Sequence, residues 1–580
     1  MLLPQKVMSK AEYRVRRQLM EAIIFENLLS YEYEMIGNPE SKLLNFLVKG
    51  RFNSYQCQGK IGAFGRIRLE EMSIYASHTN SPPRPATVQE LVEELAVTKE
   101  KKKELINELK QTVYFTEWNE KHLFKHIRRK FEYEELESAI LEGHPYHPCF
   151  KSRTGFSITD HEIYGPEAAN SFELVWLAVL RRQTKMKFPG NEDEFWREEL
   201  GEESFKKLVI KLEEFGKSRA DYTFFPVHPW QWEQKKEDLR TELEREEIVF
   251  LTYGDERYQA TQSLRTLLNT TSRNRANLKF SMSVAHTSSL RTLATHSVCT
   301  APYLSAWLTG IVESDPFLRK ESKLVLLQEY TGMVLEHKQL QMDDGEQAEL
   351  AVIWRENVRT YMKQGEEALP FTALIQIEAD GKPFIDEWLS RYGIENWLER
   401  LIEVAIIPVW HLLIKHGVAL EAHAQNMVLL HEEGWPTRLI VRDFHESVEY
   451  VKEYLANPER LPSFTVINEC YQNSPIDQYF WMSNVEALRE LVMDTLFVFN
   501  FSELSHLMES YYSYEENLFW HKVKVALTKH LILYPDLVKR HKQLQAESPF
   551  IYVESLLTKK VSNDDATEYG HRVKNTLTDF

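Results

Sequence analysis

The sequence predicts an α+β fold, in which helical and strand-forming stretches occupy different parts of the chain. Three observations support this prediction: residues 87–140 are charge-rich and helical, residues 259–310 alternate like strands, and residues 450–560 are mainly helical and aromatic. Helices and strands segregated in this way are typical of α+β proteins. The chain has 580 residues, of which 43% are hydrophobic, so it can form several structural units around a large core.

Charge and cysteine usage narrow the class of protein. The formal net charge of −17 makes nucleic acid a poor partner, although a local basic pocket for a small anion remains possible. Cys57, Cys149, Cys299 and Cys470 form no CxxC pair, so neither a disulfide framework nor a cysteine zinc site is expected, and a cytoplasmic location is predicted. Residues 1–21 lack the apolar core of a signal peptide, and no apolar run of about 18 residues predicts a membrane span.

The N-terminal elements follow from periodicity and from turn residues. Residues 9–35 are predicted to form a helix, and residues 51–76 to form strands separated by glycines. The stretch Gly59–Gly65 lacks the GxGxxG spacing of a phosphate loop, so a hairpin is predicted there. Residues 81–85 form a proline-stiffened loop before the helical stretch at 87–140.

The central and C-terminal elements follow the same rules. Gly417 is expected to close a helix that ends at His416, and Pro408 is expected to kink it. The patterns predict helices over 165–187, 192–217 and 395–416, strands over 224–231, 259–310, 418–430 and 437–443, and turns over 343–349 and at 380–381.

The segment Glu142–Phe156 contains two His-Pro pairs, three residues apart. Each proline fixes its own φ and keeps the preceding histidine out of the helical region. His144 and His147, together with Lys151 and Arg153, could therefore bind a polyphosphate. The alternatives are a rigid loop with surface charges and a zinc site. Zinc is disfavoured because HxxH on an extended backbone does not place both rings on one helical face.

A repeated Ser-Leu-Arg-Thr-Leu motif lies further along the chain, at 263–267 and again at 289–293. Lys279 and Thr287 lie between the two copies. An arginine with a hydroxyl nearby is suited to bidentate contact with phosphate or carboxylate. The alternative is a pair of amphipathic strands whose arginines form structural ion pairs.

Two short polar segments predict a metal site. On a strand, Glu421, His423 and Gln425 would share one face, with Asn426 at the next pleat. Asp443 ends the following apolar strand, and a hairpin would place it beside Asn426. Carboxylate and amide oxygens are the hard ligands that Mg²⁺ requires. Each acid could instead form an ordinary salt bridge or cap a helix.

Together, these segments resemble the NRPS-independent siderophore synthetases, the aerobactin-synthetase (IucA/IucC) family. The resemblance covers about residues 140–445, and the helical C-terminal third is also similar to the family. The matching motifs, in chain order, are His144-Pro-x-His147-Pro-x-x-Lys151-x-Arg153-x-Gly155, Pro226-Val227-His228-Pro229, Ser263-x-Arg265-Thr266-Leu267, Lys279, Thr287-x-x-x-Arg291-Thr292-Leu293, Glu421-Ala-His423-x-x-Asn426 and Arg442-Asp443.

The resemblance implies an ATP-dependent ligase that joins a carboxylate of citrate, or of a citryl or succinyl derivative, to a polyamine, a hydroxylamine or a diamino acid. The carboxylate attacks the α-phosphate to give an acyl adenylate and pyrophosphate, and the amine then forms an amide and releases AMP. By matching position, the ATP-binding residues are His144, His147, Lys151, Arg153, Ser263, Arg265, Lys279 and Arg291. The carboxylate-binding residues are Thr287, Arg291 and His423, the Mg²⁺ ligands are Glu421, Asn426 and Asp443, and the catalytic residues are Lys151, Arg291 and His423.

The resemblance also implies an architecture similar to a cupped hand. A thumb would cover residues 1–140, fingers residues 141–385, and a palm residues 386–580. The palm would contain a kinase-like antiparallel sheet flanked by helices. Family members are commonly dimers, so a homodimer is expected.

Two other functions fit parts of the pattern. A small-molecule kinase could also bind its metal through Glu, Asn and Asp on adjacent strands, but the sequence has no HRDxxxxN catalytic loop. A non-catalytic siderophore-binding protein is the second alternative, because the C-terminal third is similar to ferric-siderophore reductase domains. That third contains only Cys470, whereas such reductases use a terminal cysteine cluster for iron–sulfur chemistry.

Overall fold

The computed structural model describes residues 8–37, 42–77, 82–287, 289–336, 347–562 and 569–580. These residues form a mixed fold of helices and largely antiparallel sheets, which confirms the predicted combination of helical and strand-forming regions. None of the described helices is both long enough and apolar enough to cross a membrane.

The N-terminal part packs helices against a six-stranded sheet. The helix predicted over 9–35 is wrong in its second half, because Tyr and Glu alternate from residue 30 and this segment pairs as an edge strand. The hairpin predicted at Gly59–Gly65 is confirmed. The helices are α1 (Lys10–Phe25), α2 (Val88–Glu94), α3 (Lys99–His122) and α4 (Tyr133–Ala139), and the strands are β1 (Ser30–Met35), β2 (Leu44–Lys49), β3 (Ser54–Ile61), β4 (Ile67–Leu69), β5 (Tyr75–Ser77) and β6 (Arg84–Pro85).

An eight-stranded antiparallel sheet and its helices form the middle of the chain. The helices are α5 (Ile158–Tyr164), α6 (Glu192–Leu200), α7 (Glu202–Glu214), α8 (Pro229–Lys235), α9 (Arg240–Glu244) and α10 (Thr295–Ser314). The strands are β7 (Phe172–Leu180), β8 (Thr184–Lys187), β9 (Tyr222–Val227), β10 (Ile248–Ala260), β11 (Thr266–Asn269), β12 (Asn277–Phe280), β13 (Ala285–His286), β14 (Ser289–Leu290), β15 (Leu293–Ala294), β16 (Val325–Leu326), β17 (Glu329–Leu335), β18 (Gln347–Ala348), β19 (Ala351–Arg355) and β20 (Glu367–Pro370). The large sheet has the order β8-β17-β19-β12-β11-β10-β7-β9.

Two predictions in this region are wrong. Residues 165–187, predicted as a helix, contain β7 and β8, because the apolar run Phe172–Leu180 is buried between β9 and β10. The strand pattern predicted over 259–310 stops at Ala294, where α10 begins and packs on β17. The predicted helices over 192–217 are confirmed as α6 and α7.

The C-terminal part supplies two strands of a four-stranded sheet and a set of helices. The strands are β21 (Val418–Leu420), β22 (Met427–Glu432), β23 (Trp435–Val441), β24 (Val448–Tyr450), β25 (Phe550–Glu554) and β26 (Gly570–Lys574). The helices are α11 (Asp386–Tyr392), α12 (Ile394–Leu401), α13 (Ile407–His411), α14 (Phe464–Ile467), α15 (Val485–Val492), α16 (Ser502–Tyr512), α17 (Glu516–Leu533), α18 (Val538–Gln543) and α19 (Leu556–Val561), with π-helical turns at Ile402–Ile406, Leu412–His416 and Met493–Phe501.

The four-stranded sheet has the order β16-β23-β22-β20 and combines strands from both sides of residue 385. Strand β16 pairs parallel with β23, and the other pairs are antiparallel. Because Met427 pairs with Val441, the sheet places Asn426 and Asp443 at the same end of neighbouring strands. The hairpin predicted from 418 to 443 is therefore confirmed in its second half.

The predicted helix end and the predicted turn are confirmed at two glycines. Gly417 ends the predicted 395–416 helix in the left-handed conformation, with φ +74°. Gly381 takes φ +79° in the turn predicted at 380–381. The turn predicted at 343–349 lies mostly outside the described residues.

Two apolar cores hold these elements together. One joins α1 and the N-terminal sheet to the C-terminal helices, so the two ends of the chain share a single core. The other lies between the large sheet and helices α6 and α7.

Candidate functional site

The His-Pro segment holds two neutral imidazole rings with fixed orientation. The Nδ1 atom of His144 accepts the backbone N–H groups of Tyr146 and His147, at 3.1 and 2.9 Å, and Nδ1 of His147 accepts that of Cys149 at 3.1 Å. Each ring therefore carries its hydrogen on Nε2. Burial lowers the pKa of His144 to about 3 and that of His147 well below its usual value. Nε2 of His147 has no partner among the described residues, so it remains a buried donor.

The two cations of this segment share one carboxylate that the sequence analysis missed. Arg153 donates to both oxygens of Glu167, at 2.7 and 2.8 Å, and Lys151 pairs with the same carboxylate. Arg153 also donates to Nδ1 of His161 at 2.8 Å. Burial lowers the pKa of Lys151 to about 8, against the opposing effect of Glu167. Lys151 and Arg153 thus form a buried ion-pair cluster, so the alternative of a rigid loop with surface charges is wrong for these two residues.

The repeated Ser-Leu-Arg-Thr-Leu motif brings two loops together. Arg265 donates to the carbonyl of Arg291 at 3.1 Å, so the first copy supports the backbone of the second. Ser263 caps its own turn by accepting the N–H of Thr266 at 3.2 Å. Thr287, at φ +61°, accepts a 3.3 Å hydrogen bond from the guanidinium of Arg291, whose Nε has no partner among the described residues.

Asp443 is a buried carboxylate between two cations. Its Oδ1 accepts from Lys279 at 3.0 Å and from Arg355 at 2.7 Å. Burial raises the pKa of Asp443, but the neighbouring cations Arg355 and Lys279 lower it by more than burial raises it. The pKa is therefore well below its usual value. Glu329 accepts hydrogen bonds from the backbone N–H of His445 at 3.1 Å and from its ring Nδ1 at 2.8 Å. These bonds fix the chain just after Asp443, which itself has φ +66°. Arg355 and Glu329 were not predicted from sequence, because each lies more than 80 residues from its partner.

The Glu421–Asn426 segment is close to Asp443 but is not a strand beyond residue 420. Residues 421–423 have no regular structure and 424–426 form a 3₁₀ turn, so the prediction of alternating strand faces is wrong there. The Asn426 carbonyl accepts the N–H of Arg442 at 2.9 Å, and its Nδ2 donates to the Glu421 carbonyl at 3.0 Å. His423 Nε2 lies 3.6 Å from the Glu421 carboxylate. Glu421 and Asn426 therefore lie on one segment, which is hydrogen-bonded to the segment that carries Asp443.

Charge effects show that the four segments meet in one place. After burial, the neighbouring His423 contributes most to lowering the pKa of His144. At His147 burial lowers the pKa most, followed by His144, Lys560 and then Arg291. Burial lowers the pKa of Arg291 to about 10, and Glu421 counteracts this effect. His228, from the Pro226–Pro229 motif, is not part of this arrangement and instead caps helix α8 among aromatic rings, with Nδ1 accepting the Trp230 N–H at 3.2 Å.

Two other features lie outside this convergence. A cavity of about 1340 Å³ opens on the other side of the His-Pro segment and reaches Glu142, Gly143, Pro145 and Glu167, but it includes none of the residues predicted to bind ATP, carboxylate or metal. A buried cluster of Asp315, His411 and His416 could hold a metal by spacing, but Lys415 already pairs with its carboxylate at 2.7 Å.

Two known families match different parts of this chain. Residues 132–376 match the family described as IucA / IucC, and residues 395–568 match the family described as ferric iron reductase FhuF-like transporter. The chain belongs to the IucA/IucC family. It is 34% identical, over 97% of its length and 93% of the relative's, to the citryl-spermidine/3,4-dihydroxybenzoyl-citryl-spermidine:spermidine ligase of Bacillus anthracis.

Further comparisons agree with this assignment. The chain is 30% identical, over 99% of its length and 94% of the relative's, to the 2-[(L-alanin-3-ylcarbamoyl)methyl]-3-(2-aminoethylcarbamoyl)-2-hydroxypropanoate synthase of Staphylococcus aureus. The crystal structure of petrobactin biosynthesis protein AsbB from Bacillus anthracis superposes with a TM-score of 0.91 at 34% identity, covering 98% of this chain and 95% of that one. Aerobactin synthetase IucC from Klebsiella pneumoniae shares the fold, with a TM-score of 0.82 at 22% identity over 98% of each chain.

Proposed function

We propose that this synthetase activates a carboxylate of citrate, or of a citrate-derived acid, with ATP and joins it to an amine. The observation that carries the proposal is the convergence of His144, His147 and Arg291 with the Glu421–Asp443 metal-type segments, in a chain similar over its whole length to a citryl-spermidine ligase. The acid would attack the α-phosphate of ATP, which gives an acyl adenylate and pyrophosphate. An amine would then displace AMP and form the amide.

The phosphates are proposed to lie between the imidazole and arginine donors. Within the described part of the chain, the buried Nε2–H of His147 is a neutral donor without a partner, and the Nε of the Arg291 guanidinium is likewise unpaired. Preorganised donors of this kind stabilise developing negative charge because they need not reorient during the reaction. Arg265 lies beside them, bonded to the Arg291 carbonyl. Lys279 pairs with Asp443 as Lys151 and Arg153 pair with Glu167, so the charge of these three cations is already compensated and they would act indirectly.

The residues of the proposed metal site fit Mg²⁺. The pKa of Asp443 is well below its usual value, so its carboxylate is ionised; Lys279 and Arg355 both bind its Oδ1, so a metal would bind its Oδ2. Among the described residues, Asn426 bonds to protein through its Nδ2, and its amide oxygen would be the ligand. Glu421 adds a second carboxylate on the bonded neighbouring segment. When bound, Mg²⁺ would neutralise phosphate charge.

The carboxylate substrate is proposed to bind Thr287, Arg291 and His423. Thr287 orients Arg291 through its hydroxyl, so the guanidinium presents its remaining N–H groups as a planar pair. His423 lies on the opposite segment and is about one third exposed, so its ring can reach a bound ligand. For the amine we propose a polyamine first, because the ligase with 34% identity is named for spermidine.

The reaction is tested by the products formed from Mg-ATP, citrate and spermidine. We expect citrate-dependent release of pyrophosphate and AMP, and a spermidine amide of citrate by mass spectrometry. Hydroxylamine and a diamino acid replace spermidine in parallel assays, and a reaction without citrate is the control. Release of ADP instead would support a small-molecule kinase, and siderophore binding without turnover of any acid would support a binding protein.

The metal assignment is tested at Glu421, which is partly exposed and can be changed with little effect on packing. We expect Glu421→Gln to raise the Mg²⁺ concentration for half-maximal activity by about tenfold, because one anionic ligand is lost. Glu433→Gln, on an exposed turn, is the matched control. An unchanged Mg²⁺ titration in Glu421→Gln would remove this residue from the metal set.

We also propose that the fold is arranged as the predicted cupped hand and that the synthetase is a homodimer. The AsbB and IucC structures support the shared fold. Sedimentation equilibrium of the purified chain tests the oligomeric state, with a mass of about twice 68.4 kDa expected. A mass of 68.4 kDa at all concentrations would contradict the dimer.

A further inference from the structure

The irregular segment Glu421–His423 is held in place by side chains rather than by a sheet. It lies between β21 and the 3₁₀ turn Ala424–Asn426, and Ala422 at its centre is fully buried. Buried peptide groups require hydrogen-bond partners. Thr495 Oγ1 accepts the Ala422 N–H at 3.1 Å, and Asn500 Nδ2 donates to the Ala422 carbonyl at 3.2 Å.

Both partners come from one π-helical segment, Met493–Phe501, which continues α15 into α16. Residues five apart on an α-helix point about 140° away from each other, because an α-helix has 3.6 residues per turn. In a π-helix the hydrogen bonds close from i to i+5, so residues five apart lie nearly above one another. The π-helical turn therefore brings Thr495 and Asn500 to the same side, where one bonds to the N–H and the other to the carbonyl of Ala422, on the two peptide units that flank this residue.

The contacts of the two partners are specific. The Thr495 hydroxyl donates to the Leu491 carbonyl at 2.8 Å, which leaves its lone pair directed at the Ala422 N–H. Thr495 and Asn500 are both buried in a stretch that is apolar apart from them and Asp494, so the two hydrogen bonds are shielded from water. The same 421–422 peptide unit is also bonded inside the site, since the Asn426 side chain donates to the Glu421 carbonyl at 3.0 Å.

We propose that Thr495 and Asn500 are positioning residues for the synthetase reaction, which hold the two peptide units flanking Ala422 and thereby fix Glu421 and His423 on either side of it. This inference rests on the proposed roles of Glu421 in metal binding and of His423 in carboxylate binding. A change in the φ and ψ angles of Ala422 would move the side chains of Glu421 and His423 relative to each other. A side chain displaced by about 1 Å is enough to cost a catalytic site much of its rate.

The test compares Thr495→Val with Thr495→Ser in the full-length enzyme. Valine has nearly the same shape as threonine but cannot accept the Ala422 N–H, whereas serine keeps the hydroxyl. The matched control is Thr112→Val, because Thr112 is also a fully buried helical threonine, with its hydroxyl donating to the Glu108 carbonyl at 2.9 Å, and it is not part of the proposed site. Each variant is examined by hydrogen–deuterium exchange of the 418–427 peptide and by steady-state kinetics.

We expect Thr495→Val to accelerate amide exchange in the 418–427 peptide by about tenfold or more, because the buried N–H loses its acceptor. We also expect it to raise the KM for the acid and the half-saturating Mg²⁺ concentration by about tenfold. Thr495→Ser should stay within about twofold of the wild type. Thr112→Val should change neither the exchange of this peptide nor the two kinetic constants.

A double-mutant cycle with His423→Ala separates positioning from a general loss of stability. If Thr495 acts through the Glu421–His423 segment, Thr495→Val should raise the KM for the acid much less in the His423→Ala background. One outcome would overturn the positioning proposal alone. In it, the wild type turns over, but Thr495→Val shows the same amide exchange and the same kinetic constants as Thr112→Val. No acid-dependent turnover by the wild type with any tested amine would overturn the proposed function, and with it the positioning role of Thr495 and Asn500 in that reaction.

Discussion

At the residue scale, the site depends on which partner the fold places beside each charged group. Arg291 keeps an unpaired Nε and one weak bond to Thr287, so most of its hydrogen-bonding capacity is available to a ligand. Lys151 and Arg153, by contrast, are bound to Glu167. Residues with the same charge and a similar motif position are therefore expected to respond differently to substitution.

Arg291→Ala is expected to lower kcat/KM by about 10²-fold, equivalent to about 3 kcal/mol of transition-state stabilisation, because a buried donor pair is removed. Arg240→Ala is the control, since Arg240 is exposed and forms only a surface pair with Glu237. The measurement is the rate of pyrophosphate release with saturating Mg-ATP and varied acid. A folded Arg291→Ala variant with full activity would contradict the assignment.

Glu167→Gln is expected to lower the free energy of unfolding by about 3–5 kcal/mol, because Lys151 and Arg153 would both remain buried without a counter-charge. Urea denaturation of the variant and the wild type measures the difference. Glu237→Gln, which breaks an exposed ion pair, should change it by less than about 1 kcal/mol. Equal effects of the two substitutions would show that the Glu167 cluster is not buried in solution.

At the element scale, irregular helix geometry determines where functional segments lie. π-Helical turns at Ile402–Ile406, Leu412–His416 and Met493–Phe501 interrupt the C-terminal helices. The last of them aligns Thr495 with Asn500, and the second leads directly into Gly417 and strand β21. The entry of the chain into the site segment thus depends on how this helix ends.

Gly417→Ala is expected to lower the free energy of unfolding by about 3 kcal/mol. Gly417 has φ +74°, and a Cβ atom there would collide with the Tyr454 carbonyl oxygen. Gly381→Ala is the control, because Gly381 has φ +79° but open space around the added methyl group. It should cost only the left-handed backbone strain, about 1 kcal/mol. Urea denaturation measures both, and equal losses would mean that the collision is relieved by movement of Tyr454.

At the scale of the whole molecule, many neutral histidines are enclosed by the fold. Burial lowers the pKa of His228 to about 3 and that of His431 to about 4. Burial also raises the pKa of Asp494 well above its usual value, so the contribution of this group to the pH dependence of stability is opposite to that of the histidines. The other histidines with a lowered pKa are His144, His147, His161, His286, His411, His506, His530, His541 and His571.

The free energy of unfolding is therefore expected to fall as the pH is lowered from about 6.5 to 5. In this window the histidines take up protons in the unfolded chain, whose pKa is about 6.5, but stay neutral in the folded protein. The unfolded state then binds more protons, so stability is lost on acidification. Urea denaturation at pH 7.5, 6.5, 5.5 and 5.0 measures the slope.

A variant at His228 tests this origin of the pH dependence. His228→Asn keeps an acceptor for the Trp230 N–H at the start of α8 but removes one titrating ring. The slope should decrease by up to one proton, or about 1.4 kcal/mol per pH unit. A free energy of unfolding that is constant from pH 6.5 to 5 would contradict the prediction.

Sequence alone identified the family motifs, the order of the site segments, and the elements that have clear local signals. The α6–α7 helices, the hairpin at Gly59–Gly65 and the end of a helix at Gly417 depend on periodicity and on glycine conformation, which are local properties. Motif spacing likewise predicted Arg291 and Asp443 as site residues, because residue type and order can be compared directly with a family pattern.

Only the tertiary structure decided how apolar runs and charges are paired. Phe172–Leu180 is a strand because neighbouring strands bury it on both sides, and periodicity cannot distinguish a buried strand from a buried helix. Glu167, Arg355 and Thr495 are partners of site residues 14, 88 and 73 positions away. Their role depends on distance in the folded chain, because a buried charge or peptide group is stabilised by whichever partner packing places beside it.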